Sequence, residues 1–274
     1  NRTAEKVFFA NSGSLTLRGM ALVGGVLNSE AAMTLEEVAI SGANGQEPNY
    51  GGGLYNVRGT TTVRNSSITG NHATRGGGVF NGGTLTMVNV TVSGNRASAA
   101  IGGIDNQGTA TLTHVTISGN RAESEAGGLG IGAGAVTTVG YTLIAGNAVG
   151  SGQLSVDSGQ LDSQTVGQLG GGAVDCVGNL TSAGHNLIGS GCGSSLGGSD
   201  LAGVDARLEP LALNGAETLT VALGEGSPAL DVGESAVEAD QRGAPRDGAA
   251  DVGAFERGGV VPGGVRLYLP VVAR

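Results

Sequence analysis

The chain has 274 residues, of which 54 are glycine; it contains no tryptophan, 3% aromatic residues and a net charge of −9. Phosphate binding needs a basic stripe, whereas Lys6 is the sole lysine of this acidic chain, so a nucleic-acid partner is excluded. No apolar run approaches the roughly 20 residues of a membrane-spanning helix. We therefore expect neither nucleic acid nor a membrane span.

The first predicted element is a strand that contains Val7, Phe8 and Phe9. It resembles the strands of the repeats that follow it, and no signal peptide precedes it. We interpret the chain as a mature or trimmed product whose leader and first coils are missing.

Three stretches of the chain, 51–71, 76–95 and 102–120, can be laid over one another. Each ends in Gly-Asn, and these asparagines, Asn71, Asn95 and Asn120, follow one another at 24 and 25 residues. A repeat of this length with strand-like composition predicts a β-solenoid in which each repeat forms one coil. The register extends to Asn44 and Asn147, each 27 residues away, so the coils span 1–192.

Three columns of the repeat are apolar in every coil, and we expect each to form a ladder in the core. The columns are Val63, Met87, Leu112 and Val139; Ile68, Val92, Ile117 and Ile144; and Leu54, Val79, Ile104 and Leu129. The first two columns are five residues apart, an odd spacing, so the chain must bend between them.

Asparagine recurs at two positions of the repeat, the one that ends each coil and the one occupied by Asn56, Asn81 and Asn106. Asparagine tolerates the left-handed conformation, and stacked amides can bond from coil to coil. We interpret both series as corner residues without a chemical role.

Outward-facing threonines and two aromatic residues suggest surface binding. The threonines include Thr84, Thr86, Thr109, Thr111 and Thr113. Ranks of threonine on a flat face can bind ice or glycans, but these columns are interrupted by Leu, Ala or Arg, so strand propensity explains them. Tyr55 and Phe80 could stack a sugar ring, and an adhesin or glycan-binding module stays an alternative.

Solenoids of this kind include polysaccharide-cleaving enzymes, which need paired carboxylates projecting from neighbouring coils. Between 51 and 147 the acids are Asp105, Glu123 and Glu125, and no carboxylate stands beside Asp105 in its column. The histidines His72, His114 and His185 lie in different columns, with His114 at a corner or on the surface. We expect no catalysis, and a lyase or glycosidase is the weaker alternative.

Two cysteines, Cys176 and Cys192, follow a Gly/Ser-rich excursion predicted at 150–173. A disulfide between them would close a loop of about 15 residues, and would indicate an oxidising, extracellular setting. The alternative is a metal pair in which His185 is the nearby additional ligand.

The module at 193–256 does not repeat, and short motifs within it and just before it carry a family resemblance. These are Asn-Leu-Ile-Gly at 186–189, Leu-Glu-Pro-Leu at 208–211, Gly-Ser-Pro-Ala at 226–229, Asp-Gln-Arg-Gly at 240–243, Pro-Arg at 245–246 and Asp-Val-Gly-Ala-Phe-Glu at 251–256. The chain resembles the choice-of-anchor Q domain proteins, which are secreted bacterial right-handed parallel β-helix proteins. The resemblance implies an all-β, single-stranded, right-handed parallel β-helix with a C-terminal capping module, located outside the cell. It implies no chemistry.

Six ionisable residues lie in this signature: Asp231, Asp240, Arg242, Arg246, Asp251 and Glu256. We expect the two arginines to pair with the carboxylates and staple a cap over the last coil. The alternatives are a calcium site made by Asp231, Asp240 and Asp251, or an acid/base cluster. No cofactor is otherwise expected.

The tail at 257–274 is a flexible linker followed by an amphipathic strand. This strand contains Val265, Leu267, Tyr268, Leu269 and Val271, and its end resembles sorting tails of secreted bacterial proteins. No helix is predicted to cap the first coil, so a strand from another copy could pair there, at Val7, Phe8 and Phe9, and link copies head to tail into a fibre. Alternatively, the tail folds back on its own cap, or it is an anchor that is removed or bound elsewhere. We therefore expect an extracellular or cell-surface structural protein.

Overall fold

A computed structural model describes residues 6–44, 50–150, 172, 174–193, 196–246, 248–262 and 270–272. Within these residues the fold is all-β: strands are stacked in parallel as a β-solenoid and no helix occurs. The excursion predicted at 150–173 lies almost wholly outside the described residues.

Two sheets of the solenoid are built from short strands. The short-strand sheet contains, in spatial order, β1 (Lys6–Ala10), β3 (Gly25–Asn28), β5 (Leu54–Asn56), β8 (Val79–Asn81), β11 (Ile104–Asn106), β14 (Leu129–Ile131), β18 (Cys176–Asn179) and β21 (Gly191–Gly193). The four-stranded sheet contains β7 (His72–Arg75), β10 (Arg96–Ala100), β13 (Arg121–Ser124) and β17 (Ala148–Val149).

The long sheet has eleven strands and carries the ten-residue strands. It contains β2 (Ser14–Val23), β4 (Ala32–Ser41), β6 (Thr60–Thr69), β9 (Thr84–Ser93), β12 (Thr109–Ser118), β15 (Val136–Gly140), β16 (Leu143–Ala145), β19 (Thr181–Ser182), β20 (Leu187–Ile188), β22 (Leu201–Ala202) and β25 (Pro270–Val272). A separate antiparallel hairpin consists of β23 (Leu208–Ala212) and β24 (Thr220–Leu223).

The three predicted apolar columns are confirmed as core ladders. In the first, Val63 pairs with Met87, Met87 with Leu112, and Leu112 with Val139. The pairings of the other two columns follow the same register, and all twelve side chains are fully buried. Burial of these columns from coil to coil supplies the main stabilisation of the solenoid.

The predicted bend lies inside the long strands, at a residue with positive φ. Successive coils place Glu37, Asn65, Asn89, His114, Tyr141 and His185 at this position, with φ between 49° and 57°. We call this set the bend column. One left-handed residue reverses the alternation of side chains, which is why two inward columns can be five residues apart.

The buried asparagines that end the coils form the predicted coil-to-coil ladder, but they do not adopt the left-handed conformation. That conformation belongs to the preceding glycine, as at Gly94 (φ 65°) and Gly119 (φ 64°). Asn95 Nδ2 donates to Asn120 Oδ1 of the next coil at 2.9 Å and to Ile68 O of the preceding coil at 2.9 Å. Each such asparagine therefore joins three coils.

The C-terminal module lies along the flank of the solenoid, which corrects the prediction of a cap over the last coil. Leu143 and Leu187 face outward from the long sheet and pack with Ala206, Leu223 and Val252 of the module. The outward column Ser67, Thr91, Thr116 and Leu143 is buried along its length. Because these small and apolar side chains leave a surface without charge, the module covers the half of the long sheet that follows the bend.

Candidate functional site

The C-terminal strand covers the edge of the long sheet at the start of the solenoid. β25 pairs in parallel with β2 of the same chain, with Ala21 opposite Pro270, Leu22 opposite Val271 and Val23 opposite Val272. Without β25, β2 would be an edge strand with unpaired backbone groups. The structure therefore shows β25 folded back on the first coil of its own chain, and not on the C-terminal module, where the fold-back alternative placed the tail. Four of the predicted assembly residues, Val265, Leu267, Tyr268 and Leu269, lie outside the described residues.

The N-terminal strand β1 forms the edge of the short-strand sheet. Val7 and Phe8, which were predicted to take part in self-assembly, are half-buried and pack against the core of their own solenoid. Phe9 points outward and is 64% exposed. The sheet register shifts between Lys6 and Phe8, so Val7 and Phe8 both contact the core although they are consecutive. Their part in self-assembly stays a prediction.

Lys6 is half-buried at this edge and donates hydrogen bonds to the carbonyls of Gly51 and Gly52 in the next coil but one. Desolvation lowers the pKa of Lys6 to about 7. The only lysine of the chain thus supplies donors to two corner carbonyls.

Cys176 and Cys192 form a disulfide with their Cα atoms 4.9 Å apart. The bond joins β18 to β21, the last two strands of the short-strand sheet, and both cysteines are buried. His185, the third ligand of the alternative metal pair, instead stacks on Tyr141 with 4.7 Å between ring centroids.

Two buried ion pairs organise the C-terminal module. Arg242 Nε lies 2.7 Å from Asp240 Oδ2, and Arg246 Nη1 lies 2.9 Å from Glu256 Oε2. The arginine side chains are 7% and 2% exposed, and Arg242 also lies over the ring of Phe255 at 3.8 Å. Burial lowers the pKa of Arg246 and raises that of Glu256, so for both groups desolvation outweighs the attraction of the partner.

Within the described part of the chain Asp231 forms no ion pair, which corrects the predicted staple. Its side chain is exposed, while its backbone N–H donates to Asp251 Oδ1 at 2.9 Å. Asp251 accepts a second bond from the backbone of Arg257, and burial raises its pKa. Among the described residues no three His, Cys, Asp or Glu side chains come together as metal ligands, so the calcium grouping of Asp231, Asp240 and Asp251 is not assembled.

The module is bonded to the solenoid through the bend column and the outward column beside it. Arg246 Nη2 donates to Asn89 Oδ1 at 3.3 Å, and Thr91 Oγ1 donates to Gln241 Oε1 at 2.7 Å. One coil later, Thr116 Oγ1 accepts from the backbone of Ala254 at 2.9 Å. The arginine staple therefore acts across the flank, between the module and two central coils.

His114 occupies the predicted corner, but it is fully buried, which corrects its placement on the surface. Its Nδ1 lies 3.2 Å from Gly253 O and its Nε2 lies 2.6 Å from Ser235 Oγ. A carbonyl can only accept, so Nδ1 carries the proton and Nε2 accepts from the serine hydroxyl. Burial, and then the charge of Arg246, lower the pKa of His114 to about 3, which keeps the imidazole neutral.

Asp105 is also fully buried, although its column faces outward. Its carboxylate accepts from Arg75 Nε at 2.8 Å and from Gln107 Nε2 at 2.6 Å. Arg75 Nη1 also lies 3.6 Å from Glu125 Oε1, so one guanidinium joins two carboxylates of neighbouring coils. The sequence register did not reveal this link, because Arg75 and Glu125 lie beyond the strand that contains Asp105.

Tyr50 joins Tyr55 and Phe80 in an aromatic cluster that sequence reasoning missed. The ring centroid of Tyr50 lies 5.9 Å from that of Tyr55 and 5.0 Å from that of Phe80. The rings of Tyr55 and Phe80 meet edge to face at 89°. Tyr50 belongs to the irregular second coil, where no repeat assigns it a column.

One outward column of the long sheet is threonine in every coil, which corrects the prediction that all such columns are interrupted. We call it the threonine column; its members are Thr16, Thr34, Thr62, Thr86, Thr111, Thr138 and Thr181. The sequence alone does not show the register of the first and last coils. The members of the column in those coils could therefore not be recognised from sequence.

Within the described residues there is no helix with the length and apolar character needed to cross a bilayer. No protein-family model matches this chain, and neither a curated protein nor a solved structure matches it.

Proposed function

We propose that this chain is a non-catalytic structural protein of the cell exterior that links copies head to tail through exchange of its C-terminal strand. The observation that carries the proposal is the parallel pairing of β25 with β2. Extracellular placement is supported by the Cys176–Cys192 disulfide, and by the resemblance to choice-of-anchor Q domain proteins.

The donor and acceptor surfaces of this contact differ, and this difference determines the kind of assembly. β25 is the donor, and the free edge of β2 is the acceptor. When two different surfaces of identical copies meet, the contact is heterologous and generates a ring or an open chain. β25 lies near the end of the chain and β2 lies in the first coil. A strand exchanged along β2 would therefore connect the end of one copy to the first coil of the next.

The linker before β25 controls the balance between closure and exchange. Residues 257–262 leave the module with Val260 exposed, and residues 263–269 complete the connection. A tethered strand faces its own acceptor at an effective concentration in the millimolar range for a short flexible linker. Closure within one chain therefore dominates in dilute protein, and exchange takes over in concentrated protein or when the linker is shortened.

A disulfide trap tests the contact and identifies which copy supplies the strand. The variant carries Val23→Cys and Val272→Cys, which are directly paired positions. Oxidation at low and high protein concentration, followed by non-reducing electrophoresis, should give a cross-linked monomer in the first case and a ladder of multimers in the second. Ser14→Cys with Val272→Cys is the matched control, because Ser14 lies at the opposite end of β2 from Val23 and is not paired with Val272, so it should not cross-link.

Negative-stain electron microscopy of a variant lacking residues 258–261 completes the test. We expect filaments or rings from the variant with the shortened linker. We expect neither from a variant that lacks residues 259–274. Absence of any cross-link between positions 23 and 272 would reject the strand contact itself. A cross-linked monomer at every concentration, with or without the shorter linker, would instead establish a permanent self-cap and overturn head-to-tail assembly.

A further inference from the structure

The dipeptide Asn-Gly, which readily loses the asparagine amide, occurs at three places in the chain. These are 44–45, 81–82 and 214–215. Asparagine is a thermolabile residue, and a following glycine has no side chain to keep its backbone nitrogen away from the asparagine Cγ. Position 45 lies outside the described residues, so the structure compares the other two pairs.

Asn214 and Gly215 form a tight turn on the C-terminal module, between β23 and β24. Both have positive φ, 48° and 85°, as the central pair of a type I′ turn requires. The N–H of Ala216 closes the turn on Leu213 O at 2.8 Å. Gly215 is exposed, and among the described residues its own N–H donates to no protein group. The nitrogen that would attack Asn214 is therefore uncommitted and reaches water.

Asn81 and Gly82 carry the same dipeptide in a protected setting. Asn81 is fully buried in β8, and its Nδ2 donates to Asn106 Oδ1 of the next coil at 2.7 Å. The N–H of Gly82 donates to Asn56 O of the preceding coil at 2.7 Å. Attack by the Gly82 nitrogen would first have to open this part of the solenoid. The fold thus protects Asn81 and leaves Asn214 open.

A buried cation lies on the peptide bond between Asn214 and Gly215. Arg242 Nη1 donates to Asn214 O, the carbonyl of that bond, at 3.0 Å. A guanidinium on this oxygen withdraws electron density from the amide and makes the N–H of Gly215 easier to deprotonate. The side chain of Arg242 is 7% exposed, so water screens its charge weakly.

The nitrogen that would leave also has a partner. Asn214 Nδ2 donates to Thr220 Oγ1 at 3.0 Å and to Thr220 O at 3.1 Å. A hydroxyl both accepts and donates, so Oγ1 can return a hydrogen bond to this nitrogen as it departs. Thr220 is fully buried in β24, so the contact is fixed before any reaction.

We propose that Asn214 is a site of self-modification, at which the folded chain converts its own asparagine to aspartate and isoaspartate. The backbone nitrogen of Gly215 attacks Cγ of Asn214. The N–Cγ bond forms, the Cγ–Nδ2 bond breaks, and the proton of the Gly215 amide leaves with ammonia. Water then opens the five-membered succinimide at either carbonyl, adding its hydroxyl to the carbonyl carbon and its proton to the ring nitrogen. Water is the only co-reactant, and nothing is oxidised or reduced.

Either product alters the turn irreversibly. The new carboxylate cannot donate to Thr220 O, so two acceptors face each other where a hydrogen bond stood. Isoaspartate also adds one carbon to the main chain of the turn. Val261 of the linker lies beside this turn, because a Cβ at position 215 would be 3.8 Å from Val261 Cγ2. The modification therefore adds one negative charge to the module beside the linker that leads to β25.

The test uses the full chain, with the pair Asn81 and Gly82 as an internal control because the dipeptide is the same. Folded protein and protein unfolded in urea are incubated in one mildly alkaline buffer. Peptide mass mapping measures the gain of one mass unit at each asparagine, and enzymatic methylation of isoaspartate identifies the product. Asn214→Gln is the control variant, since glutamine would need a six-membered ring and should stay unmodified. Circular dichroism melting establishes that this variant folds.

We expect the folded chain to modify Asn214 at least roughly tenfold faster than Asn81, which reacts only after local opening. In urea the two sites should react at similar rates. Asn214 should also react faster in the folded than in the unfolded chain, because Arg242 and Thr220 contact it only in the fold. A folded Asn214 that stays intact, or that reacts more slowly than in urea, would overturn the proposal. Cleavage of the chain between 214 and 215 would overturn it as well, since the side-chain nitrogen would then have attacked its own carbonyl.

Discussion

Asn147 donates both its backbone N–H and its side-chain amide to one oxygen, Oδ1 of Asp175, at 2.7 and 3.0 Å. Asp175 thereby ends the ladder of buried asparagines that starts at Asn71. Its other oxygen, Oδ2, accepts from the Ser190 hydroxyl at 2.8 Å. A carboxylate suits the end of the ladder because it accepts from both sides and need not donate to a further coil.

Asp175→Ala should therefore destabilise the chain strongly, whereas Asp175→Asn should be mild. Alanine leaves two buried donors of Asn147 without an acceptor, each costing about 1–3 kcal/mol. Asparagine keeps Oδ1 as acceptor and can donate to Ser190 Oγ. Urea unfolding of the two variants measures the difference, and equal losses would mean that the ladder end carries no specific requirement.

Acid should destabilise the chain through His114. Its folded pKa of about 3 lies below the unfolded value near 6.5, so the stability from neutral His114 is complete above pH 6.5. It is lost as pH falls from 6.5 towards 3, at up to about 1.4 kcal/mol per pH unit. Arg246 is the charged group that faces the ring, and it disfavours protonation further.

His114→Asn isolates this contribution, because asparagine occupies the same bend column at Asn65 and Asn89 with positive φ. Unfolding free energies of both proteins from pH 7.5 to 4 should diverge as pH rises and converge as it falls. Burial raises the pKa of Asp175 and Glu256 in both proteins, so those groups cancel in the difference. Parallel curves for the two proteins would contradict the assignment.

Removing one member of the Arg246–Glu256 pair should lower the free energy of unfolding by more than half of what removing both members costs. Either Arg246→Met or Glu256→Gln leaves a buried charge without its partner, at about 3–5 kcal/mol. The double variant removes both charges and should be clearly less destabilised than the sum of the two single variants. Thermal unfolding of all four proteins gives the coupling, and strict additivity would show that the two groups act independently.

Replacing both Cys176 and Cys192 with alanine should lower the free energy of unfolding by about 3 kcal/mol in the chain-entropy model. The bond closes a loop with a sequence separation of 16 and joins the last two strands of the short-strand sheet. Chemical unfolding with and without the substitutions tests this value. An unchanged midpoint would show that β21 docks firmly without the covalent bond.

The coil register could be predicted because each coil places the same types of residue at the same positions. Val63, Met87, Leu112 and Val139 occupy equivalent positions, and one register aligns all of them. The odd spacing to the Ile68 column likewise fixed the presence of a bend. The identity of the left-handed residue was less clear, since a glycine beside Asn95 or Asn120 relieves the asparagine of that conformation.

The candidate site was readable only in part because its contacts cross long stretches of chain. Arg246 reaches Asn89 across 157 positions, and His114 reaches Gly253 across 139. No periodicity connects these residues. The threonine column was missed for a related reason: Thr16, Thr34 and Thr181 lie in coils whose irregular lengths hide the register.

The sequence by itself determined the parallel β-solenoid, its core columns and the asparagine ladder, because identical coils stacked at a fixed spacing force like residues into contact. Only the tertiary structure decided where the nonrepeating parts lie: the C-terminal module along the flank, His114 beneath it, and β25 on the edge of β2. Those placements depend on complementary surfaces brought together by the whole chain, which a local pattern does not encode.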